Sequence, residues 1–301
     1  MITGAAAPVE MTDIPLIRAK ISLPRRPAIL LSRPRLHQVL EQIPDYRLTL
    51  VRAQAGFGKT SVLVDWAHQS SVPVCWYTLD ETDRVPQQFL TYFIGAIKQH
   101  LPGFGIPAYA VVQDAHRHLD PEYVAHVVIE DMQDYLHEPL VLVLDDYHLV
   151  MNEEVIRRFL ETFLNDIGEE CHLVIASREP VPLGNLTILT AHSQVLGLNA
   201  KDLVFTTAEI QRLFLQNFKQ SLSHAEAADM AARTEGWITG LLLRGPHTGA
   251  RSNPYNRTAE TAGVGLYDYL AQQVLGRQPA EVRKFLLHSS LLGTFDGVLC
   301  A

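Results

Sequence analysis

The segment Ala53-Gln-Ala-Gly-Phe-Gly-Lys-Thr60 is the most informative part of the sequence, because an apolar run at Leu48–Val51 precedes it and a helical pattern at Thr60–His68 follows it. A strand, a glycine-bearing loop and a helix in this order predict a phosphate-binding loop. Backbone N–H groups of such a loop converge on a polyphosphate, together with the unpaired donors that begin the helix. Ala53 stands where the strict pattern has glycine, but a small residue is enough for the tight turn. An ordinary strand–loop–helix connection is the alternative, and the flanking elements argue against it.

This loop supplies candidate ligands for a metal–nucleotide complex. Lys59 would reach the terminal phosphates and is also a candidate catalytic residue, while the hydroxyl of Thr60 would bind Mg²⁺. The expected nucleotide-binding residues of the loop and the helix start are Ala53, Gln54, Ala55, Gly56, Phe57, Gly58, Lys59, Thr60 and Ser61.

A second apolar run, Leu140–Leu144, ends abruptly at Asp145 and Asp146. Buried parallel strands have this composition, and open α/β sheets bind ligands at the carboxyl ends of their strands. Asp145 is therefore expected to bind Mg²⁺, directly or through water, and Asp146 to orient or deprotonate an attacking water. A solvated Asp pair capping a buried strand is the alternative. Together with the loop, the pair predicts a nucleoside triphosphatase site.

A third apolar run ends at Ser177 and is followed by Arg178. An arginine at the end of a neighbouring parallel strand can contact a γ-phosphate, which makes Arg178 a candidate catalytic residue. It could equally be a surface residue paired with Glu179, and the sequence leaves both interpretations open.

Strand and helix patterns alternate through the first two thirds of the chain, which predicts an α/β fold with a parallel sheet and helices on both faces. The segment between the predicted helices Gln87–His100 and Glu122–Leu136 is expected to be a polar loop. The predicted strands are Leu48–Val51, Val74–Leu79, Leu140–Leu144, Leu173–Ser177 and Gln194–Leu198, and the helices are Leu36–Ile43, Thr60–His68, Gln87–His100, Glu122–Leu136 and Glu153–Asp166.

The predicted domains follow these patterns. Residues 1–27 are predicted to form a tail or loosely packed arm, and residues 28–200 are predicted to form a P-loop nucleotide-binding domain. Residues 201–243 carry only helical patterns, two of which begin with capping boxes, Thr206 to Glu209 and Ser223 to Glu226. Residues 244–265 read as a linker or hinge, with a disordered insertion as the alternative. Two further helices, Leu266–Leu275 and Ala280–Ser290, precede an apolar ending that suggests a fragment or a truncated product.

The composition of the chain argues against several classes of partner and binding site. With 301 residues, 47% of them hydrophobic, the chain can bury a core of more than one domain. A net charge of −8 gives no general electrostatic reason to bind nucleic acid or an acidic membrane surface. Three scattered cysteines indicate reduced core thiols, and His116, His118 and His126 match no standard zinc spacing. No apolar run reaches the ~18 residues of a membrane span, so a cytoplasmic location is expected.

These motifs together resemble the nucleotide-binding region of the MalT-like, LuxR-type bacterial transcription activators, which are STAND signalling ATPases. The resemblance runs from about Lys20 to the end of the chain and is far more specific than a phosphate-binding loop alone. The motifs that carry it are Ala55-Gly-Phe-Gly-Lys-Thr60, Trp76-Tyr-Thr-Leu-Asp80 with Asp83, Phe89 and Tyr92, Leu144-Asp-Asp-Tyr-His148, Ser177-Arg178, and Glu235-Gly-Trp237 with Gly240-Leu-Leu.

The resemblance implies a sheet in which the strand before Arg178 lies between the two motif strands. It also implies that a helical lid domain and a winged helix, here incomplete at residues 266–301, clamp ADP at rest. Arg33 would lie near the base, and the helix at Gly236-Trp237 would lie near the nucleotide from the lid side. The chain departs from the wider pattern in two places: Ser32 replaces a glycine, and the segment Trp237–Gly240 lacks a proline.

The leading hypothesis is an ATP-binding, slowly hydrolysing switch that takes ATP/ADP and Mg²⁺ and forms the regulatory part of a transcription activator. The expected partners are the nucleotide and further copies of the full-length activator, with inducer-sensing and DNA-binding domains downstream of these residues. Neither specific DNA binding by this chain nor a membrane partner is expected. A P-loop kinase acting on a small acceptor and a nucleotide-binding scaffold without turnover are the rival hypotheses.

Overall fold

A computed structural model describes residues 16–114, 119–243, 275–276 and 279–290 of the chain. Within these residues a parallel sheet of five strands forms the centre of the first part of the chain. The strands are β1 Leu48–Arg52, β2 Val74–Thr78, β3 Leu140–Asp145, β4 Cys171–Ser177 and β5 Val195–Asn199.

The strands lie in the order β2-β3-β4-β1-β5, and every neighbouring pair is parallel. The strand before Arg178 therefore lies between the strand that precedes the loop and the strand that ends at Asp145, as the resemblance implied. Parallel strands end at the same edge of a sheet, so the loop after β1, the carboxylates after β3 and Arg178 after β4 emerge together. The predicted α/β fold with a parallel sheet is confirmed.

Helices connect these strands and continue beyond the last of them. The five helices predicted between residues 36 and 166 are confirmed within three residues at each end, and are now labelled α2, α3, α4, α6 and α7. The described helices are α1 Arg18–Ile21, α2 Pro34–Leu40, α3 Lys59–Ala67, α4 Pro86–Lys98, α5 Ile106–Asp114, α6 Pro121–Gln133, α7 Glu154–Asp166, α8 Leu186–Ala191, α9 Ala200–Leu203, α10 Thr207–Phe218, α11 His224–Thr234, α12 Ile238–Leu243 and α13 Ala280–Ser289.

Helices cover both faces of the sheet. On one face, Leu142 and Ile175 pack into a cluster with aromatic side chains of α4 and α7. The rings of Phe93 and Phe159 meet edge to face with centroids 5.0 Å apart, a favourable aromatic geometry. Strand residues whose side chains point to the other face are also buried, as a parallel sheet covered on both sides requires. They are Val51, Val141, Val143, Val174 and Ala176.

Helix α5 lies where the sequence suggested a polar loop, and that expectation is wrong. Pro107 stands in the first turn of α5, where a missing N–H costs no helical hydrogen bond. The helix buries Ala108, Tyr109 and Val112, which share one face at helical spacing. Periodicity in nine residues is weak evidence, and the polar residues that follow obscured it.

The segment 16–26 is not the loose arm that the sequence suggested. Lys20 is buried, and its Nζ atom lies 2.7 Å from Asp83 and 3.0 Å from Asp80. The same ammonium lies 4.7 Å from the centroid of the Tyr92 ring, within the range of a cation–π interaction. Ion pairs and a cation–π contact therefore hold Lys20 of this segment against the first unit's core, while residues 1–15 lie outside the described part of the chain.

The chain divides into two compact units. The first comprises the residues up to Gln54 together with Gly58–Leu203, and the second comprises Ala55–Phe57 with the residues from Val204 onward. In the second unit, α10 and α11 begin with the two predicted capping boxes, at Thr206 and Ser223, which are confirmed.

The remaining sequence-based expectations fall largely outside the described residues. These are the linker at 244–265, the helix Leu266–Leu275 and most of the incomplete winged helix at 266–301. The helix predicted at Ala280–Ser290 is confirmed as α13. None of the helices in the described part of the chain is long and apolar enough to cross a membrane.

Candidate functional site

The loop between β1 and α3 reverses the chain at two glycines. Gly56 has φ 77° and Gly58 has φ 83°, a left-handed conformation that residues with a Cβ atom rarely adopt. Gly58 caps α3, which begins at Lys59. The first N–H groups of a helix have no partner within the helix, so α3 directs donors toward the loop.

Lys59 is buried at the start of α3, with 6% of its surface exposed. Its Nζ atom donates to the carbonyl oxygens of Ala53 at 2.8 Å and of Gln54 at 3.4 Å. Burial lowers the pKa of this ammonium, and the Arg178 charge acts in the same direction, while the carboxylates of Asp146 and Asp145 oppose both. The lysine charge therefore lies within electrostatic range of all three of these groups.

Thr60 and Asp145 join the two motifs that the sequence separates by 85 residues. The Thr60 hydroxyl donates to Asp145 Oδ2 at 2.8 Å and to Oδ1 at 3.1 Å. Asp145 is almost fully buried, and burial together with the neighbouring Asp146 charge raises the pKa of its carboxyl to about 6. Hydroxyl and carboxylate oxygens side by side are a donor set that fits Mg²⁺.

Asp146 has a different environment from Asp145. Its backbone is left-handed with φ 60°, which a short polar residue tolerates better than a branched one. Its side chain is 34% exposed, and one carboxylate oxygen lies 3.8 Å from Nδ1 of His148. The structure therefore presents a second carboxylate that is partly open to solvent beside the buried first one.

Arg178 follows β4 at the same edge of the sheet and is half-buried. Within the adjoining turn, Ser177 Oγ donates to the Glu179 carbonyl at 2.8 Å and accepts from the Glu179 N–H at 3.2 Å. Both of these contacts involve the main chain of Glu179. The structure thus brings the charges of Lys59, Asp145, Asp146 and Arg178 close enough to interact, as the positions of the motifs at the strand ends predicted.

Arg33 and Ser61 have other surroundings. Arg33 is buried, and its Nη1 atom donates to the carbonyl of Leu203 at 2.8 Å, so part of its guanidinium is engaged by the main chain. Ser61 is exposed in the first turn of α3.

Two contacts of the loop tip involve residues near α12 in the second unit. Trp237 Nε1 donates to the Ala55 carbonyl at 3.2 Å, and Thr239 Oγ1 donates to the Gly56 carbonyl at 2.9 Å. The sequence drew attention to Gly236 and Trp237 only through the resemblance, and nothing in it marked Thr239. A threonine in an otherwise apolar helical stretch, two residues after a motif tryptophan, is the one signal that could have done so.

The chain is similar in sequence to known bacterial transcription regulators. No protein-family model matches the chain. It is 33% identical over 289 residues, 94% of its length, to the HTH-type transcriptional regulator MalT of Serratia proteamaculans, and 32% identical over 289 residues to that of Yersinia enterocolitica. This chain is a homologue of the MalT-type regulators. It spans 31% of the length of these relatives.

Solved structures show the fold type. A STAND protein with a tetratricopeptide-repeat sensor from Pyrococcus horikoshii aligns with a TM-score of 0.51 at 17% identity, over 90% of this chain and 36% of that one. A Walker-type ATPase of Pyrococcus abyssi aligns with a TM-score of 0.55 at 15% identity, over 92% of this chain and 85% of that one. The chain therefore has the fold of these P-loop ATPases.

Proposed function

We propose that this chain is the nucleotide switch of a MalT-like transcription regulator, which binds ATP with Mg²⁺ and slowly hydrolyses it to ADP and phosphate. The observation that carries the proposal is the hydrogen bond between Thr60 and Asp145, 85 residues apart in sequence. It brings the helix that follows the glycine-rich loop to the strand that ends in two carboxylates.

The loop, Lys59, Thr60 and Asp145 bind the nucleotide and its metal ion. Lys59 and the backbone N–H groups of the loop bind the phosphates, and nucleotide binding requires the Lys59 ammonium to exchange its two carbonyl partners for phosphate oxygens. Thr60 and Asp145 hold the metal through oxygen ligands. When bound, Mg²⁺ neutralises charge on the phosphates.

Asp146 and Arg178 take part in hydrolysis. Asp146 orients or deprotonates the attacking water, which its partial exposure permits. Arg178 contacts the γ-phosphate and responds to its loss. Arg33 lies near the base, and its contact with the Leu203 carbonyl fixes its position.

The proposed switch requires a nucleotide to bind the two conformational states of the regulator with different free energies. A nucleotide shifts a conformational equilibrium only when it binds the two states with different affinities. We propose residues 28–200 as the nucleotide-binding domain, 201–243 as the lid, 244–265 as the hinge and 266–301 as the start of a winged helix. ATP favours an open, self-associating form of the complete regulator and ADP a closed one, with inducer-sensing and DNA-binding regions outside these residues.

Turnover with and without acceptors tests this proposal against its rivals. The purified chain with ATP and Mg²⁺ is expected to release ADP and phosphate in equal amounts with no acceptor, and Asp146→Asn is expected to suppress that release. ADP production that depends on a small acceptor would show a kinase instead. Tight nucleotide binding with no turnover above the Asp146→Asn background would show a scaffold.

The affinity for Mg²⁺ is expected to depend on pH through Asp145. Burial and the Asp146 charge raise the pKa of Asp145 to about 6, so below that pH a proton occupies the proposed metal ligand. With a pKa of about 6, the ionised fraction falls roughly tenfold between pH 7 and pH 5, and the apparent affinity should fall with it. Titration of the ADP-bound chain with Mg²⁺ at several pH values measures this. Asp145→Asn is the control, and an equally steep pH profile in that variant would contradict the assignment.

A further inference from the structure

We propose that Trp237 and Thr239 are positioning residues that aim two backbone N–H groups of the loop tip at the phosphates of the nucleotide. This inference rests on the proposed function, because it assigns a role toward phosphates that the loop must bind. It concerns the second unit, which contains the loop tip Ala55–Phe57 as well as α12.

The geometry of the peptide bond determines where these N–H groups point. Trp237 and Thr239 hold the carbonyl oxygens of Ala55 and Gly56, at 3.2 Å and 2.9 Å. No described peptide bond is cis, and in a trans peptide the C=O and the following N–H point in opposite directions within one plane. The N–H groups of Gly56 and Phe57 therefore point away from Trp237 and Thr239.

These two N–H groups are available to a ligand. Among the described residues, neither the Gly56 nor the Phe57 N–H makes a hydrogen bond of standard geometry. Unpaired amide donors in a tight turn form a concave site for anions. Fixing the carbonyls from one side thus leaves the donors oriented for phosphate oxygens on the other.

Two glycines, Gly236 and Gly240, allow Trp237 to reach the carbonyl oxygen of the loop tip. A Cβ atom at Gly236 would lie 2.8 Å from the carbonyl oxygen of Phe205, and the φ of 70° disfavours any other residue. A Cβ atom at Gly240 would lie 2.9 Å from Cε3 of the Trp237 ring. The motif of Glu235-Gly-Trp237 and Gly240 therefore encodes the placement of the tryptophan against the loop tip.

The hydrogen bonds from Trp237 and Thr239 to the loop and the binding of phosphate to the loop also strengthen each other. The donor from α12 and the phosphate act on opposite ends of the same peptide units, so each stabilises the orientation that the other requires. Such coupling is reciprocal: a bound phosphate strengthens the hold of Trp237 and Thr239 on the loop as much as they strengthen phosphate binding.

Two variants remove the donors and retain much of the shape of the side chains. Thr239→Val and Trp237→Phe each delete one hydrogen bond to the loop, and each is expected to weaken ADP binding about fivefold. Thr234→Val is the matched control, because the Thr234 hydroxyl donates to the Met230 carbonyl within α11 and not to the loop. The control should bind ADP as the unaltered chain does, and all three variants should melt at similar temperatures without nucleotide.

A spectroscopic signal provides a second measurement. Trp237 is half-buried, whereas Trp66 and Trp76 are buried in the first unit. ADP is therefore expected to change the tryptophan fluorescence of the unaltered chain, and Trp237→Phe should remove that change.

The outcomes separate this inference from the proposed function. Unchanged ADP affinity in Thr239→Val and Trp237→Phe, while Lys59→Ala abolishes binding, would overturn the inference alone. An equal loss in Thr234→Val would overturn it too, because the effect would then be a general one on the helices. ADP binding that survives Lys59→Ala would overturn the proposed function instead.

Discussion

Replacing Lys59 with alanine is expected to abolish detectable nucleotide binding. The ammonium is buried at the start of α3 and now donates to two loop carbonyls, so it lies within the loop that would surround the phosphates. Charge-assisted hydrogen bonds to phosphate are about twice as strong as neutral ones, and losing several should reduce affinity by about 100-fold or more. Isothermal titration of the variant with ADP and Mg²⁺ measures the loss.

The matched control is Lys201→Ala. Lys201 lies exposed in α9, so this variant removes the same charge from the chain without touching the loop. It should bind ADP normally, and both variants should retain the circular dichroism of the unaltered chain. Nucleotide affinity that is unchanged in Lys59→Ala would contradict the assignment of a phosphate-binding loop.

Asparagine substitutions at Asp145 and Asp146 are expected to have different effects. Asp145→Asn removes an anionic oxygen that pairs with Thr60, so Mg²⁺-dependent nucleotide affinity should fall about 10- to 100-fold. Asp146→Asn should leave affinity nearly intact and slow hydrolysis by at least about 100-fold, because a residue that orients or activates water matters only on the way to the transition state. Binding titrations and single-turnover phosphate release measure the two effects separately.

Asp166→Asn serves as the control for both carboxylate variants. Asp166 ends α7, is half exposed and pairs with His126 at 3.0 Å, away from the loop. It should alter neither affinity nor turnover. If the two site variants lost binding equally, separate roles for the two carboxylates would be ruled out.

The sheet was predictable from sequence because its central strands β3 and β4 are buried on both faces. Continuous apolar runs such as Leu140–Leu144 are typical of such strands, and the aspartates that follow mark the carboxyl end of this one. Strand order, by contrast, came from the resemblance, because periodicity says nothing about which strands are neighbours. The helix α5 was missed because a short helix with three buried residues has little periodic signal.

Contacts between distant residues were beyond prediction from local pattern. The sequence around Lys20 gives no sign of an ordered segment, because its partners, Asp80 and Asp83, lie about sixty residues away along the chain. The hydrogen bond from Trp237 to Ala55 spans 182 residues. Motifs mark the charged groups that we propose to act on the nucleotide, whereas packing determines which neutral groups contact them.

A comparison of ligands with and without phosphates shows whether the loop after β1 holds the phosphates of a nucleotide. The unaltered chain is titrated calorimetrically with adenosine, AMP and ADP in the presence of Mg²⁺, at equal concentrations and pH. We predict one ADP site per chain and an affinity that rises steeply from adenosine to ADP, because the loop, Lys59 and Thr60 act on phosphates. Equal affinity for adenosine and ADP, or no binding of ADP at millimolar concentration, would contradict this claim.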